Sequence, residues 1–121
     1  MTMETLIFDT LRGLVADRVY PGVAPDGVGD APYITWSIGG GQPVNFVDGS
    51  QPSKGNGRLQ INVWSKTVMQ TALLAQQAET ALRGRVELST TVLTQRFTRV
   101  DEVTKRHGTY QFFSCWADIP A

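Results

Sequence analysis

Residues 58–65, Arg-Leu-Gln-Ile-Asn-Val-Trp-Ser, alternate between apolar and polar side chains. Leu59, Ile61 and Val63 fall on one side of an extended chain, and Gln60, Asn62 and Trp64 on the other. A period of two over this length reads as a strand with one face buried. Upstream, Tyr33 to Ile38 alternates in the same way, with Ile34, Trp36 and Ile38 on one side. The two segments are expected to pair antiparallel across the intervening excursion.

That excursion is 39–57, GGGQPVNFVDGSQPSKGNG, with glycine or proline at both shoulders. Its middle, Val44 to Val47, is read as a possible extension of the strand and its tip, 48–57, as loose. Residues 21–32, PGVAPDGVGDAP, leave no regular option and read as a loop.

Two helices flank the strand pair. Met3, Leu6, Ile7, Leu11, Leu14 and Val15 recur at three- and four-residue spacing, which predicts an amphipathic helix capped by Thr2 and ending near Asp17. Val19 and Tyr20 follow as a short extended piece. Val68, Leu74, Ala75, Ala78, Ala81 and Leu82 give the second helix an alanine-rich apolar side. Thr67 and Gln70 have capping-box spacing at its start, and Gly84 is placed to end it. Beyond it, 91–100 and 109–119 read as two strands joined by a charged turn. The second is the most aromatic segment of the chain, with Tyr110, Phe112, Phe113 and Trp116. The expected fold is α+β: a mainly antiparallel four-stranded sheet with two helices on one face, in the order α-β-β-α-β-β.

The 121 residues suffice for one core, so residues 1–121 are read as a single domain. Eleven basic residues balance eleven acidic ones, which argues against a dedicated nucleic-acid coat. The charge is uneven, however. Residues 1–50 hold two basic and six acidic residues, and the remainder nine and five. Chance accounts for this split, although it would also suit head-to-tail contact between copies. Cys115 is the only cysteine, so no internal disulfide is possible. With Glu4 placed before the first apolar cluster, synthesis in a reducing cytoplasm is expected.

Catalytic chemistry finds little support. His107 is the only histidine and lies in a polar turn without a nucleophile beside it. Cys115 lies within an alternating strand and reads as a buried structural thiol. Asp101 and Glu102 are adjacent and point apart in extended chain. Asp26 and Asp30 lack the ligand ladder of a calcium loop, and Gly39–Gly41 are followed by no phosphate-binding lysine. No cofactor, metal or catalytic residue is expected. Trp64 is out of phase with its buried neighbours, and Val44, Phe46 and Val47 sit in a loop too glycine-rich to build its own core. These four are the candidate interface residues. The competing reading is a sheet covered on both sides.

The order of motifs resembles a known family. A leucine-rich N-terminal helix precedes Val19 to Pro25 (VYPGVAP) and Pro32 to Trp36 (PYITW). A glycine-rich hairpin, Arg58 to Ser65 (RLQINVWS) and the alanine- and glutamine-rich segment Ala72 to Gly84 follow. In this order the chain resembles the tail-terminator, or tail-completion, proteins of long-tailed phages and gene-transfer particles. The resemblance implies a structural protein made in a bacterial cytoplasm and built into a virion tail. It also implies a homohexameric ring at the head-proximal end of the tail tube, which ends tube polymerisation and presents the head-joining surface. The implied partners are the tail tube protein and a head-completion or neck protein, with DNA passing through without specific binding. Arg96 and Arg99 are then candidate lumen charges; otherwise they are ordinary strand-surface charges. The alternatives are a small ligand-binding or enzymatic α+β domain, or another neck component.

Overall fold

A computed structural model gives the structure of the protein and describes residues 1–119. The elements follow in the order α1 (Met3–Leu11), β1 (Val19–Pro21), β2 (Tyr33–Gly40), β3 (Lys54–Ser65), α2 (Val68–Gly84), β4 (Thr91–Val92), β5 (Phe97–Val100) and β6 (His107–Asp118), with short 3-10 turns after each helix.

The spine is the antiparallel β3–β6 ladder, in register from Lys54↔Asp118 to Ser65↔His107. β2 lies on the other side of β3, antiparallel from Tyr33↔Trp64 to Gly40↔Gly57. Leu59, Ile61 and Val63 therefore share a face with Ile34, Trp36 and Ile38 of β2 and with Gln111, Phe113, Cys115 and Ala117 of β6. Both helices pack on this face. Leu6, Ile7 and Leu11 of α1 and Leu74, Ala75, Ala78 and Leu82 of α2 join Ile34, Leu59, Ile61, Val63, Phe113, Cys115 and Ala117 in one buried cluster, with Trp36 and Ile38 half-buried against it. Each fully buried leucine contributes about 1.5–3 kcal/mol. Gly57 makes room for this arrangement, because a Cβ there would come within 2.8 Å of the Met3 sulfur.

The α+β class and the two helices agree with expectation, but the sheet does not. It has six strands and is mixed, in the order β1-β2-β3-β6-β4, with β5 also paired to β6. Val19–Pro21 is a true edge strand, parallel to β2, and the long loop before β2 supplies the crossover. The Arg18 side chain reinforces this edge by donating to the Pro32 carbonyl at 2.8 Å.

The expected strand 91–100 is broken in two. β4 and β5 both lie along β6, and Thr94 fills the gap. Its hydroxyl accepts from the Phe112 N–H at 3.2 Å and its carbonyl accepts from the Gln111 side chain at 3.0 Å. Side-chain bonding thus replaces the missing ladder.

Other boundaries also differ. α1 stops at Leu11 and continues as a 3-10 turn to Leu14, after which Ala16 and Asp17 take positive φ. The Arg12 guanidinium, donating to Asp17 at 2.9 Å, holds that reversal. Gly39 and Gly40 belong to β2 and Gly55 and Gly57 to β3, so the connecting loop is 41–53, and Val44 to Val47 do not extend either strand. In α2, Val68 is exposed, and the small polar residue Thr71 takes the buried place instead. Its hydroxyl lies against the Thr67 and His107 carbonyls at 2.8 and 3.1 Å and against the Ser65 hydroxyl. Thr2 and Thr67 cap their helices as expected, accepting from the N–H groups of Thr5 and Gln70.

Thr71→Val keeps the volume of the side chain but leaves these buried groups short of a partner. It should destabilise the fold by about 1–3 kcal/mol, read as a lower urea midpoint with an unchanged slope. An unchanged midpoint would show that the Thr71 hydroxyl is dispensable.

Candidate functional site

The same alternation that fills the core sends a second set of side chains to the opposite face, which carries no helix. Arg58, Gln60, Asn62 and Trp64 of β3 point there, as do Tyr110, Phe112, Ser114 and Trp116 of β6. The β5 register adds Phe97 beside Tyr110 and Arg99 beside Gly108. β2 adds Tyr33, Thr35 and Ser37. The same alternation ends in Lys54 and Asp118, and Asp118, its one carboxylate, pairs with Lys54 and the N-terminus.

The aromatic rings and the arginines form a continuous ribbon. Arg58 lies 4.7 Å above the Phe112 ring, and Phe112 meets Tyr110 edge-on at 6.3 Å. Phe97 stacks on Tyr110 at 4.9 Å. Arg99 lies 4.7 Å from the Trp64 ring and 5.4 Å from that of Tyr110. At the rim, Arg106 sits 5.1 Å from the Tyr33 ring and donates to the Ala31 carbonyl. Each cation–π contact at a partly exposed site is worth about 0.5–1 kcal/mol, so the ribbon is preformed.

Gly108 permits the tightest part of it. The Trp64 ring lies flat across this glycine, and a Cβ there would fall 2.6 Å from the ring. The missing side chain is thus replaced by an aromatic from the neighbouring strand.

Of the candidate residues, Trp64 and Arg99 come together on this ribbon. Arg96 does not join them. It turns toward α2, donating to Gln76 at 3.0 Å with Glu79 at 3.8 Å. Val44, Phe46 and Val47 lie in loop 41–53, at the other end of the β2–β3 ladder from Trp64. The eight residues of β3 from Gly57 to Trp64 span roughly 23 Å. Val44 is half-buried, whereas Phe46 is 49% exposed and Val47 wholly so. Tyr110, Phe112, Phe97 and Arg58 were missed by sequence reasoning, although Tyr110, Phe112 and Trp116 are as out of phase with Phe113, Cys115 and Ala117 as Trp64 is with Val63.

Glu79 anchors Arg96. The Gln111 amide donates to it at 2.9 Å. That bond, opposed by desolvation and aided by Arg83 and Arg96, holds its carboxyl below the ordinary glutamate range. Asp101 is likewise held low, by the N–H groups of Val103 and Thr104 that close the β5–β6 turn. Burial pushes the Cys115 thiol up, with Thr90 its weak partner at 3.5 Å. A cleft of about 410 Å³ opens on the helix side, where Val68 and Ala72 face Thr98, Val100 and His107. No nucleophile–base pair converges there among the described residues. Nor does any group of three or more histidine, cysteine, aspartate or glutamate side chains among them suit a metal ion. Among the described residues no helix is long and apolar enough to cross a membrane.

The family model described as tail completion protein gp17 matches residues 9–114. The chain belongs to this family. The match takes in loop 41–53 and every ribbon residue from Arg58 to Phe112. No curated protein matches the chain. Among solved structures, a chain from the virion of a native gene transfer agent particle is similar, with a TM-score of 0.65 at 16% identity. The likeness covers 98% of this chain and 96% of that one, and it is a likeness of fold.

Two measurements probe these contacts. Gly108→Ala should displace the Trp64 ring and cost about 1–3 kcal/mol, with a change in Trp64 fluorescence, isolated by subtracting a Trp64→Phe control. An unperturbed Trp64 signal would mean the ring does not rest on Gly108. Glu79 has a lowered folded pKa, so its contribution is full above the unfolded value and fades as pH falls through the folded one. The stability gap between wild type and Glu79→Gln should therefore be widest near neutrality and shrink in acid. A gap independent of pH between neutrality and acid would exclude an ionised Glu79 as the anchor.

Proposed function

We propose that this tail-completion family member is a structural assembly subunit rather than an enzyme. In this reading it forms a ring, expected to be homohexameric, on the head-proximal end of a phage-type tail tube. It ends tube polymerisation there and offers the surface that joins the head. The observation that carries the reading is the pairing of two unlike contact patches on one small chain: the aromatic–arginine ribbon and the exposed apolar loop. Unlike patches favour heterologous contacts, which close into rings when the rotation allows. The tail tube protein and a head-completion or neck protein are the partners, and the chain is made in the bacterial cytoplasm before it enters the virion.

DNA passes through the ring without specific recognition. Arg96 suits a lumen position in this reading because Glu79 offsets its charge, leaving a weak field. Arg99 lies against the Trp64 and Tyr110 rings and is assigned to protein contact. Trp64, Val44, Phe46 and Val47 are assigned to interfaces.

Native mass spectrometry and electron microscopy of the full chain with purified tail tubes test the reading. Six-membered assemblies or caps at one tube end are expected. A chain that stays monomeric and never appears at tube ends would refute it, as would tight, sequence-specific duplex binding. Phe46→Ser with Val47→Ser should leave stability within about 0.5 kcal/mol, because both side chains are exposed, while capping of tubes weakens. Unfolding of this double variant would place the two residues in the core.

A further inference from the structure

The ribbon and the loop are complementary to each other. Loop 41–53 carries a single charge, Asp48, immediately after the exposed Phe46 and Val47. The Ser50 N–H and hydroxyl orient the Asp48 carboxylate at 2.9 and 2.7 Å. These bonds also keep it ionised below the ordinary aspartate range. The ribbon offers the reverse: apolar rings between two guanidinium groups, with the one carboxylate of this alternation, Asp118, at the far end of β6 and paired with the N-terminus and Lys54. Arg58 and Arg99 have no ion-pair partner among the described residues. Asp101, the acid nearest to Arg99 in sequence, directs its carboxylate to its own turn, with the Arg99 charge the smallest of the influences on it.

We infer that the tip of loop 41–53, Phe46-Val47-Asp48, docks on the Arg58–Phe112–Tyr110–Arg99–Trp64 ribbon of a second copy of this chain. The two apolar side chains rest on the rings, and Asp48 pairs with the guanidinium groups. The contact is between copies because the loop leaves Phe46 and Val47 bare, which docking on its own sheet would not do. A protein segment fits better than a nucleic-acid strand. Base stacking needs whole open ring faces, and here Arg58, Arg99 and Phe97 cover one face of the Phe112, Trp64 and Tyr110 rings. The smaller Phe46 and Val47 side chains need only the exposed Phe97 ring and the ring edges beside it. The inference rests on the ring reading and names its subunit contact.

The test mixes two single-cysteine variants of the full chain, Val47→Cys and Ser37→Cys. Ser37 is exposed on the ribbon face, in the row of Phe112, and Cys115 is buried. Mild oxidation, with tail tubes and without, should give mixed disulfide dimers well above either homodimer. Asp48→Lys, or Arg58→Glu with Arg99→Glu, should cut their yield roughly tenfold, and combining all three should restore it. Asp48 bonds only within its loop, so Asp48→Lys remains informative if the arginine variant does not fold. Assembly by native mass spectrometry without mixed dimers would overturn this contact and leave the ring reading standing. A chain that never assembles overturns both. A labelled single-stranded oligonucleotide bound through Arg58 and Arg99 would reassign the ribbon to nucleic acid and overturn the docking.

Discussion

The β3–β6 ladder is the constraint on which the rest of the structure depends. It pairs every residue from Lys54 to Ser65 with one from Asp118 to His107, and both strands have neighbours on either side. Because side chains alternate, the register decides at once which residues are core and which are surface. A slip by one residue would bury Arg58 and Tyr110 and expose Leu59 and Phe113. The penalty for such a slip is large because Leu59 and Phe113 sit opposite each other, fully buried beneath the helices. The helices in turn depend on the register: α2 is fastened at its first turn by Thr71 to the His107 carbonyl and farther along by Glu79 to Gln111.

This division of labour separates stability from contact. The helix-covered face holds the apolar cluster, with Thr71 and Gln111 hydrogen-bonded within it. The opposite face holds rings whose surfaces are covered by arginines instead of by another layer. Cation–π packing is weak per contact, but it does not require desolvating a charge, because the outer edges of the guanidinium groups stay in water. A surface made in this way is ordered before a partner arrives, so less conformational entropy is lost when one binds.

Much of this was legible in the sequence, for a reason that the residues themselves make plain. Leu59, Ile61 and Val63 alternate without interruption, and Leu6, Ile7 and Leu11 hold helical spacing, so local pattern and burial agree. Where the reading failed, the deciding interaction was distant or depended on one backbone angle. β1 is three residues long and is a strand only because β2 lies parallel to it. The end of α1 depends on positive φ at Ala16 and Asp17, which neither residue advertises. The gap between β4 and β5 exists because Thr94 supplies side-chain bonds that alternation cannot reveal. Among the candidate interface residues, Trp64 was visible as a phase error. Its neighbours Tyr110 and Phe112 carry the same phase signal, but the adjacent Phe112 and Phe113 obscure it, because only the run on to Cys115 and Ala117 tells which of the two faces inward. Arg96 and Arg99 looked equivalent in a continuous strand. The break at Thr94 and the pull of Glu79 turn them to different surroundings.

The neutral total charge follows from the same architecture. An even mixture of charges over the whole surface would give neutrality without direction. Here Asp48 is alone in its loop, and Arg58 and Arg99 stand on a face whose one carboxylate, Asp118, lies at the far end of β6 beside Lys54 and the N-terminus. Most other acids near a base are already engaged, such as Asp9 with Arg85, Asp30 with Lys66 and Asp17 with Arg12. Ion pairs of this exposed kind add little stability, but they remove those charges from competition for a partner. Among the charges left without an ion pair, Asp48 on the loop tip and Arg58 and Arg99 on the ribbon stand on different parts of the chain. Opposite charges on unlike patches favour head-to-tail encounter, and like charges on matching patches disfavour face-to-face pairing of two copies. A chain without net charge can in this way carry a directional bias, and heterologous contact is the kind from which closed rings are built.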